Sequence, residues 1–466
     1  MDSSVVSARF SNPLCVKLEG GLVRADLRFE RLLLRVRKRE ALSGAAAVET
    51  LPYNQELLAF LREQKASGRC IVLVAIDREL AGAIANHLKL FDDVIVLAGA
   101  REQTAAGRAS ELVRLFGHQG FDYAGNNVSD VAAWRHANQI VLVNASPATT
   151  SKARATGRVI VREFDWPSGV AVSALKAMRP HQWVKNLLVF VPIIASQSFS
   201  DLPGLVGALS MFASFCATAS AIYLINDLCD LAADRAHPRK RLRPFASGVL
   251  SPRIGLVLAG GLLVAGLALA FATAPAAGVL LVAYVLTSGS YSIILKEYPL
   301  LDVFVLAALY TLRVIAGGAA SGHRATLWLL AFSGFTFLSL ALVKRAAELI
   351  QMRDASNAAV VTRRGYRRED LDILTMLGIA SAFSSSVVLA LFVGSAAATE
   401  TYQSAETLWA IVPMVLFWQM RLWLSTQRGQ MHDDPIVFAA KDRVSWIVVT
   451  SILAIVFWAS WGGSLW

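Results

Sequence analysis

Residues 221–248 read AIYLINDLCDLAADRAHPRKRLRPFASG, and this stretch decides what kind of chain it belongs to. It begins as the end of an apolar run, residues 205–225, long enough to cross a bilayer, then turns abruptly into carboxylates and a dense basic cluster. Taken as one helix at about 100° per residue, Asp227, Asp230 and Asp234 stand at i, i+3 and i+7, on one side within roughly 60° of arc. Bare carboxylates stacked in this way repel. A hard divalent cation such as Mg²⁺ removes the repulsion, and it is usually held by a few carboxylates together with the phosphates of a substrate. Just downstream, His237, Arg239, Lys240, Arg241 and Arg243 supply donors suited to phosphate oxygens. The competing reading, a capped helix end followed by a positive-inside loop, explains the cations but gives the carboxylates no purpose.

Outward from that stretch the chain divides. Its 466 residues are 55% hydrophobic with a mean hydropathy of +0.50, too apolar for a soluble protein of this size. Residues 1–167 differ, with charges spread throughout and no run approaching a membrane span. We therefore expect a soluble domain over 1–167 and a polytopic membrane domain over 168–466, joined by a linker at Trp166-Pro167-Ser168-Gly169. The net charge of +11 falls largely in loops between apolar runs, where topology and phosphate ligands account for it better than nucleic acid does. Cys15, Cys70, Cys216 and Cys229 show no paired metal spacing and read as reduced packing residues. The opening MDSSVVSARFSNP has no hydrophobic signal region, so the first domain is expected in the cytoplasm.

Within the first domain, strand signals at 13–18, 70–76, 94–97 and 140–144 alternate with helical sequence at 52–66, 78–90 and 103–116. This alternation indicates a parallel α/β sheet. The order LCVKLEGGLVRAD, CIVLVAIDRELAGAIANHL, GFDYAGNNVSDVAAW resembles the haloacid dehalogenase-like (Rossmann-like) phosphatase fold. That resemblance implies a first strand ending in Asp-x-Asp-Gly-Thr, but here Lys17 takes the nucleophile position, Glu19 the second Asp and Gly21 the Thr. Ala75 stands where a hydroxyl residue belongs, Arg108 replaces the family's Lys, Asn126 replaces an acidic metal ligand, and Asp130 alone remains of the late acidic pair. An ammonium cannot form an aspartyl-phosphate and repels Mg²⁺, so a catalytically silent domain with a regulatory or docking role is expected.

In the second domain an amphipathic segment, residues 170–178, leads into RPHQWVKN (179–186), with Trp183 at the membrane interface and Lys185 toward headgroups or substrate. Apolar runs centred near Val191, Ala213, Ala265, Val285, Leu306, Phe335, Ser386, Met414 and Ile455 give about nine spans of some 20 residues. Loops taken alternately sort by charge. One set holds the Arg239 cluster, Lys296, residues 344–368 and residues 428–443; the other holds Asp201, Pro275, His323, Arg324, Glu400 and Glu406. The basic set is assigned to the cytoplasm, with the N-terminus inside and the C-terminus outside an inner cell membrane. In YSIILKEYPLLDVFVLAALYTLRVIAGG (291–318), Tyr291, Lys296 and Asp302 cluster at the boundary. Arg313 lies about 16 Å deeper than Asp302, too far to pair with it, and is expected to face the bundle interior, toward an anionic group or backbone carbonyls. Gly317 and Gly318 read as close-packing positions. Lys344 and Glu348 are spaced for an i,i+4 pair, and Lys344 and Arg345 are otherwise candidates for substrate. Arg363, Arg364, Arg367 and Arg368 around Gly365 and Tyr366 read as an orientation signal. DDPIVFAAKDR (433–443) offers a second candidate metal site, with Asp442 and Arg443 as a helix start.

Taken together, RPHQWVKN, NDLCDLAADRAHPRKRLRP, YSIILK with RVIAGG, KRAAEL and DPIVFAAKDR resemble the UbiA superfamily of intramembrane prenyltransferases, and most of all its branch that makes decaprenylphosphoryl-phosphoribose. The resemblance implies that Asn226, Asp227, Asp230 and Asp234 bind Mg²⁺-diphosphate. It further implies that Lys185, Arg239, Lys240, Arg243, Tyr291, Lys296, Asp302, Arg313, Lys344 and Arg345 surround phosphoribosyl diphosphate and a polyprenyl phosphate. Members that transfer prenyl groups commonly carry a second Asp-x-x-x-Asp motif after the fourth span, where this chain has Asp302 and then Leu306. The expectation is therefore phosphoribosyl transfer, the alternative being transfer of an isoprenoid from its diphosphate to an aromatic or other small acceptor. A transporter or scaffold, and a lipid-tethered phosphatase, are the readings that the aspartates and Lys17 respectively argue against.

Overall fold

The computed structural model describes residues 12–25, 27, 29–30, 45–97, 99, 102–165, 169–354, 365–431 and 434–461. The opening residues 1–11, the linker positions 166–168, Arg363, Arg364 and Asp433 lie outside the described residues. The chain forms two compact units, Met1–Ala177 with Leu224–Val257, and Met178–Tyr223 with Leu258–Trp466.

The first, the sheet unit, is built on six strands: β1 (Leu14–Lys17), β2 (Ile71–Ala75), β3 (Asp93–Val96), β4 (Asp122–Gly125), β5 (Gln139–Val143) and β6 (Val159–Phe164). All pairs are parallel, in the order β3-β2-β1-β4-β5-β6. β1 and β2 are buried along their whole length because both faces are covered, and successive side chains serve opposite cores. Leu14 and Val16 join Leu73 and Leu57 on one side, while Cys15 joins Val72, Phe121 and Trp134 on the other. Helices α1 (Gln55–Ala66), α2 (Arg78–Leu88), α3 (Ala105–Phe116) and α4 (Pro147–Arg154) supply the covering layers. Each starts at a side chain that accepts a backbone N–H, respectively Asn54, Asp77, Thr104 and Ser146. The sheet agrees with the parallel α/β expectation, with β4 and β6 added. β4 reads Asp-Tyr-Ala-Gly, in which Tyr123 alone favours a strand and which a central position nevertheless buries, and β6 is a charged edge. A short helix, α5 (Val170–Ala177), follows with Val170, Val172 and Leu175 exposed, as an interfacial segment requires.

The second, the helical unit, shares with the first the long helix α6 (Leu202–Cys229) and α8 (Pro252–Thr273), separated by the six-residue α7 (Leu231–Ala236). It continues through α9 (Pro275–Ile293), α10 (Leu301–Ser321), α11 (Leu327–Asp354), α12 (Leu371–Val393), α13 (Ile411–Gln427), α14 (Pro435–Lys441) and α15 (Arg443–Trp461). Eight helices among the described residues are long and apolar enough to cross a membrane, not nine. Val264, Leu286, Leu391 and Phe457 on them are exposed, a liability in water and the surface that lipid demands.

The run near Val191 accounts for the difference. Residues Pro180–Phe190 form a 3₁₀ stretch and Val191–Ala195 a five-residue helix, with prolines at the start of each. This segment nevertheless joins the two ends of the bundle. Lys185 reaches Asp434, beyond the C-terminal end of α13, while the Ala195 carbonyl accepts from Tyr402 and Gln197 donates to the Thr401 carbonyl, ahead of α13. A 3₁₀ rise of about 2.0 Å per residue lets so short a run cover that length. Gly317 makes the packing feasible, because a Cβ there would lie 2.0 Å from the Val189 carbonyl oxygen. Asp201 and His323, which fall in the same loop set, lie together, with His323 Nε2 2.8 Å from Asp201 Oδ2.

Candidate active site

The three aspartates do not ride one uninterrupted helix. Asp230 (φ −99°, ψ 11°) leaves helical geometry between α6 and α7, a break suited to a residue that favours helix entry positions. Asp227 therefore sits in the last turn of α6 and Asp234 within α7. The break still brings Asp227 and Asp234 together. Arg243 Nη1 lies 3.1 Å from Asp227 Oδ1 and 2.7 Å from Asp234 Oδ2, and both carboxylates are buried. Asp230 and Asn226 adjoin them, half-buried. No group of three or more acidic, His or Cys side chains that could hold a metal occurs among the described residues. The convergence is thus of two carboxylates on one cationic nitrogen, a donor set that fits a divalent ion completing its shell with water and diphosphate oxygens.

The basic cluster downstream divides. Arg239 and Lys240 are exposed, and only Arg243 turns back to the carboxylates. The same segment is anchored within the sheet unit by Arg235, which the sequence reading left unassigned. Arg235 donates from both terminal nitrogens to Glu30 at 2.8 Å each, with both side chains almost fully buried, and its Nε donates to the Ala246 carbonyl at 3.3 Å.

In the helical unit, Asp434 is the centre of a second polar cluster. Lys185 Nζ is 2.7 Å from Asp434 Oδ2 and Lys344 Nζ 3.2 Å from it, while Tyr310 Oη donates to the same carboxylate at 3.2 Å. Burial alone would raise the Asp434 carboxyl, but the two ammonium groups overcome it and hold it below the ordinary carboxylate range. Lys344 therefore pairs with Asp434 rather than with Glu348, and Asp434, part of the second candidate metal site, carries two cations. Arg313 is buried as expected. Its Nε donates to Asn186 Oδ1 at 2.9 Å and its Nη2 to Tyr284 Oη at 3.0 Å, with a further bond to the Leu309 carbonyl, and it packs over the rings of Phe215, Tyr284 and Tyr310.

Asp302 and Arg345, both read as substrate ligands, bind each other at 2.7 Å, fully buried. Arg345 also pairs with Glu348, Tyr366 donates to Asp302, and Tyr291 lies 3.4 Å from Arg345. Tyr366 was hidden among arginines that read as an orientation signal. Lys296 lies half-buried on the 3₁₀ turn Leu295–Glu297 between α9 and α10. Asp442 accepts from the Ser445 N–H and pairs with Arg421, the helix start expected there.

A third cluster lies in the sheet unit at the carboxyl ends of β1 and β4. Lys17 Nζ donates to Asn126 Oδ1 at 2.8 Å and to Asp130 at 2.9 and 3.0 Å. Arg108 pairs with the other side of Asp130, whose Oδ2 also accepts from the N–H groups of Asn126 and Asn127. Burial lowers the Lys17 ammonium below its ordinary value despite Asp130. Lys17, Arg108, Asn126 and Asp130, assembled from sequence alone, are therefore in contact.

The sequence model of the UbiA prenyltransferase family matches residues 187–441, more than half of the chain. A relative in Sinorhizobium fredii, uncharacterized protein y4nM, is 34% identical over 460 residues, covering 94% of this chain and 89% of the relative. Decaprenyl-phosphate phosphoribosyltransferase of Mycolicibacterium smegmatis is 32% identical over 288 residues, 60% of this chain and 89% of that enzyme. A solved UbiA homolog from Archaeoglobus fulgidus bound to GPP and Mg²⁺ covers 61% of this chain and 98% of that chain, at 16% identity and a TM-score of 0.48.

Proposed function

Because the chain belongs to the UbiA prenyltransferase family, we propose that this membrane transferase moves phosphoribose from phosphoribosyl diphosphate to a polyprenyl phosphate. The observation that carries the reading is the convergence of Asp227 and Asp234 on Arg243. Relatives named decaprenyl-phosphate phosphoribosyltransferase support the choice of substrate. Asp227 and Asp234 hold Mg²⁺, with Asp230 and Asn226 as the adjoining oxygen donors. Bound there, the ion supplies charge neutralisation for the diphosphate.

Arg243 stays against the leaving group as the bond from ribose C1 to the diphosphate oxygen breaks and its electron pair departs with the diphosphate. The acceptor's phosphate oxygen, already anionic, attacks C1, so no strong general base is needed. Lys185 and Lys344 are the cations assigned to that acceptor phosphate, with Asp434 and Tyr310 fixing their positions. Arg345 takes the carboxylate of Asp302, and Leu306 stands four residues on where a second carboxylate would follow, which favours this reading over isoprenoid transfer.

The active site is assigned to the cytoplasmic face of the inner membrane, where the basic loops gather. The sheet unit is assigned a haloacid dehalogenase-like ancestry without phosphatase chemistry, since the Lys17 ammonium occupies the position between Asn126 and Asp130. Incubating membranes with phosphoribosyl diphosphate labelled in the ribose and with polyprenyl phosphate tests the proposal. It predicts Mg²⁺-dependent label in the lipid fraction, whereas label entering an aromatic acceptor from a prenyl diphosphate, with none from the sugar, refutes it.

A further inference from the structure

The segment that carries Asp234 and Arg243 is gripped at both of its ends by one short stretch of the sheet unit. Past β1, Leu22, Val23 and Leu27 are buried in the same apolar core as Leu14, Val16 and Leu57. Backbone hydrogen bonds tie this stretch down as well, from the Arg24 N–H to the Pro52 carbonyl and from the Asn54 N–H to the Leu22 carbonyl, each at 2.9 Å. Arg24, Phe29 and Glu30 are thus presented from a rigid base. Glu30 takes Arg235, the residue after Asp234, in a two-bond fork at 2.8 Å with both side chains almost wholly buried. At the other end, Gly248 (φ 76°) lies so close that a Cβ would stand 1.9 Å from the Arg24 carbonyl oxygen, and Arg253 lies over the Phe29 ring at 5.9 Å. Between the two grips, Arg235 Nε donates to the Ala246 carbonyl at 3.3 Å, and the Ser247, Gly248 and Leu250 N–H groups donate to the Arg243, Phe245 and Pro244 carbonyls. Arg243, which meets Asp227 and Asp234, opens this closed turn.

A buried ion pair adds little net stability over apolar side chains of the same volume, whereas a two-bond fork fixes direction and distance. We propose that Glu30 is a positioning residue of the transfer site. Acting through Arg235 and touching neither metal nor substrate, it sets where Asp234 and Arg243 stand relative to Asp227, and so sets the affinity for the divalent ion and the donor's diphosphate. The sheet unit thereby braces the carboxylate end of the site. A small ion that demands near-ideal geometry feels a displaced carboxylate in full, and loss of an outer support of a metal ligand costs about 10–100-fold in affinity. The role rests on the metal reading of Asp227 and Asp234 above, and it holds for any donor that leaves a diphosphate.

The test uses the full-length protein in lipid nanodiscs, with Mn²⁺ and inorganic diphosphate as the probes followed by electron paramagnetic resonance, and with hydrogen exchange of the metal-free protein. Glu30→Gln keeps the shape of the side chain and removes its charge. It is expected to raise the Mn²⁺ concentration at half-saturation about tenfold, and to speed exchange at Ser247, Gly248 and Leu250 before any metal is added. Gly248→Ala, which forces the other grip apart, is expected to do the same, and it decides should Glu30→Gln not fold. Leu112→Ala opens a cavity in the opposite core of the sheet unit, and is expected to lower the unfolding midpoint with half-saturation unchanged. Unchanged half-saturation in a folded grip variant, unchanged exchange, or an equal shift in Leu112→Ala overturns the positioning role. A native chain that takes up no Mn²⁺ overturns the metal site along with it. A native chain that binds Mn²⁺ yet labels no lipid from the sugar donor overturns phosphoribosyl transfer alone.

Discussion

Asp130 and the pair Asp227/Asp234 are buried carboxylate sites of opposite balance. Among the described contacts, one carboxylate, Asp130, is shared by two cations, Lys17 and Arg108, whereas two carboxylates, Asp227 and Asp234, meet on Arg243. A surplus of carboxylate leaves room for a metal ion that a substrate diphosphate then completes. A surplus of cation repels a metal and leaves charge for an anion. On the proposed reading, the count of charges around a buried acid, more than the acid itself, separates a site that takes a metal from one that repels it.

The sharpest way to break the comparison is to remove the carboxylate surplus. Asp227→Asn or Asp234→Asn is expected to lower phosphoribosyl transfer by about 100-fold or more, measured as labelled lipid at saturating Mg²⁺. Retention of more than a tenth of the native rate would sink the metal assignment. The anchor of the same segment comes next. Glu30→Ala strands the buried Arg235 and is expected to cost roughly 3–5 kcal/mol, read as a lowered unfolding midpoint. A midpoint equal to the native one would mean that the segment is held elsewhere.

Reversing the balance at the other site sharpens the contrast. Lys17→Asp places carboxylate beside Asp130, yet with Ala75 and Asn126 in place no Mg²⁺-dependent hydrolysis of p-nitrophenyl phosphate is expected, and turnover above the native chain would show that Lys17 alone silences the unit. The smallest effect is on pH dependence. The lowered Lys17 value means that the folded state binds fewer protons than the unfolded one, so stability rises with pH in the window below about 10.4. Lys17→Met is expected to flatten that rise in hydrogen exchange at β1; a steeper slope contradicts the sign.

Much of this was legible in the sequence because it is local or periodic. Apolar runs gave the spans, alternation gave the parallel sheet, and the spacing of Asp227 and Asp234 survived a helix break that the spacing did not reveal. What escaped depends on contacts between distant positions. Glu30 carries no signal that it will meet Arg235, some 200 residues on, and Tyr366 sits in a basic loop while its hydroxyl serves Asp302. Lys344 has Glu348 one helical turn away yet takes Asp434 instead, because folding brings that carboxylate into a site where burial makes a partner necessary. The segment at 180–195 was taken for a regular span because its apolarity is plain, whereas it is 3₁₀ over Pro180–Phe190 and packs so closely on Gly317 that a Cβ there would meet the Val189 carbonyl.

Manganese binding to the full-length protein, followed by electron paramagnetic resonance in nanodiscs with phosphoribosyl diphosphate present, tests the central claim most directly. The account predicts that the native chain and Lys17→Met remove the free-ion signal alike while the Asp227→Asn/Asp234→Asn double variant does not. Equal binding by the double variant, or loss of binding only when Lys17 or Asp130 is changed, would contradict it.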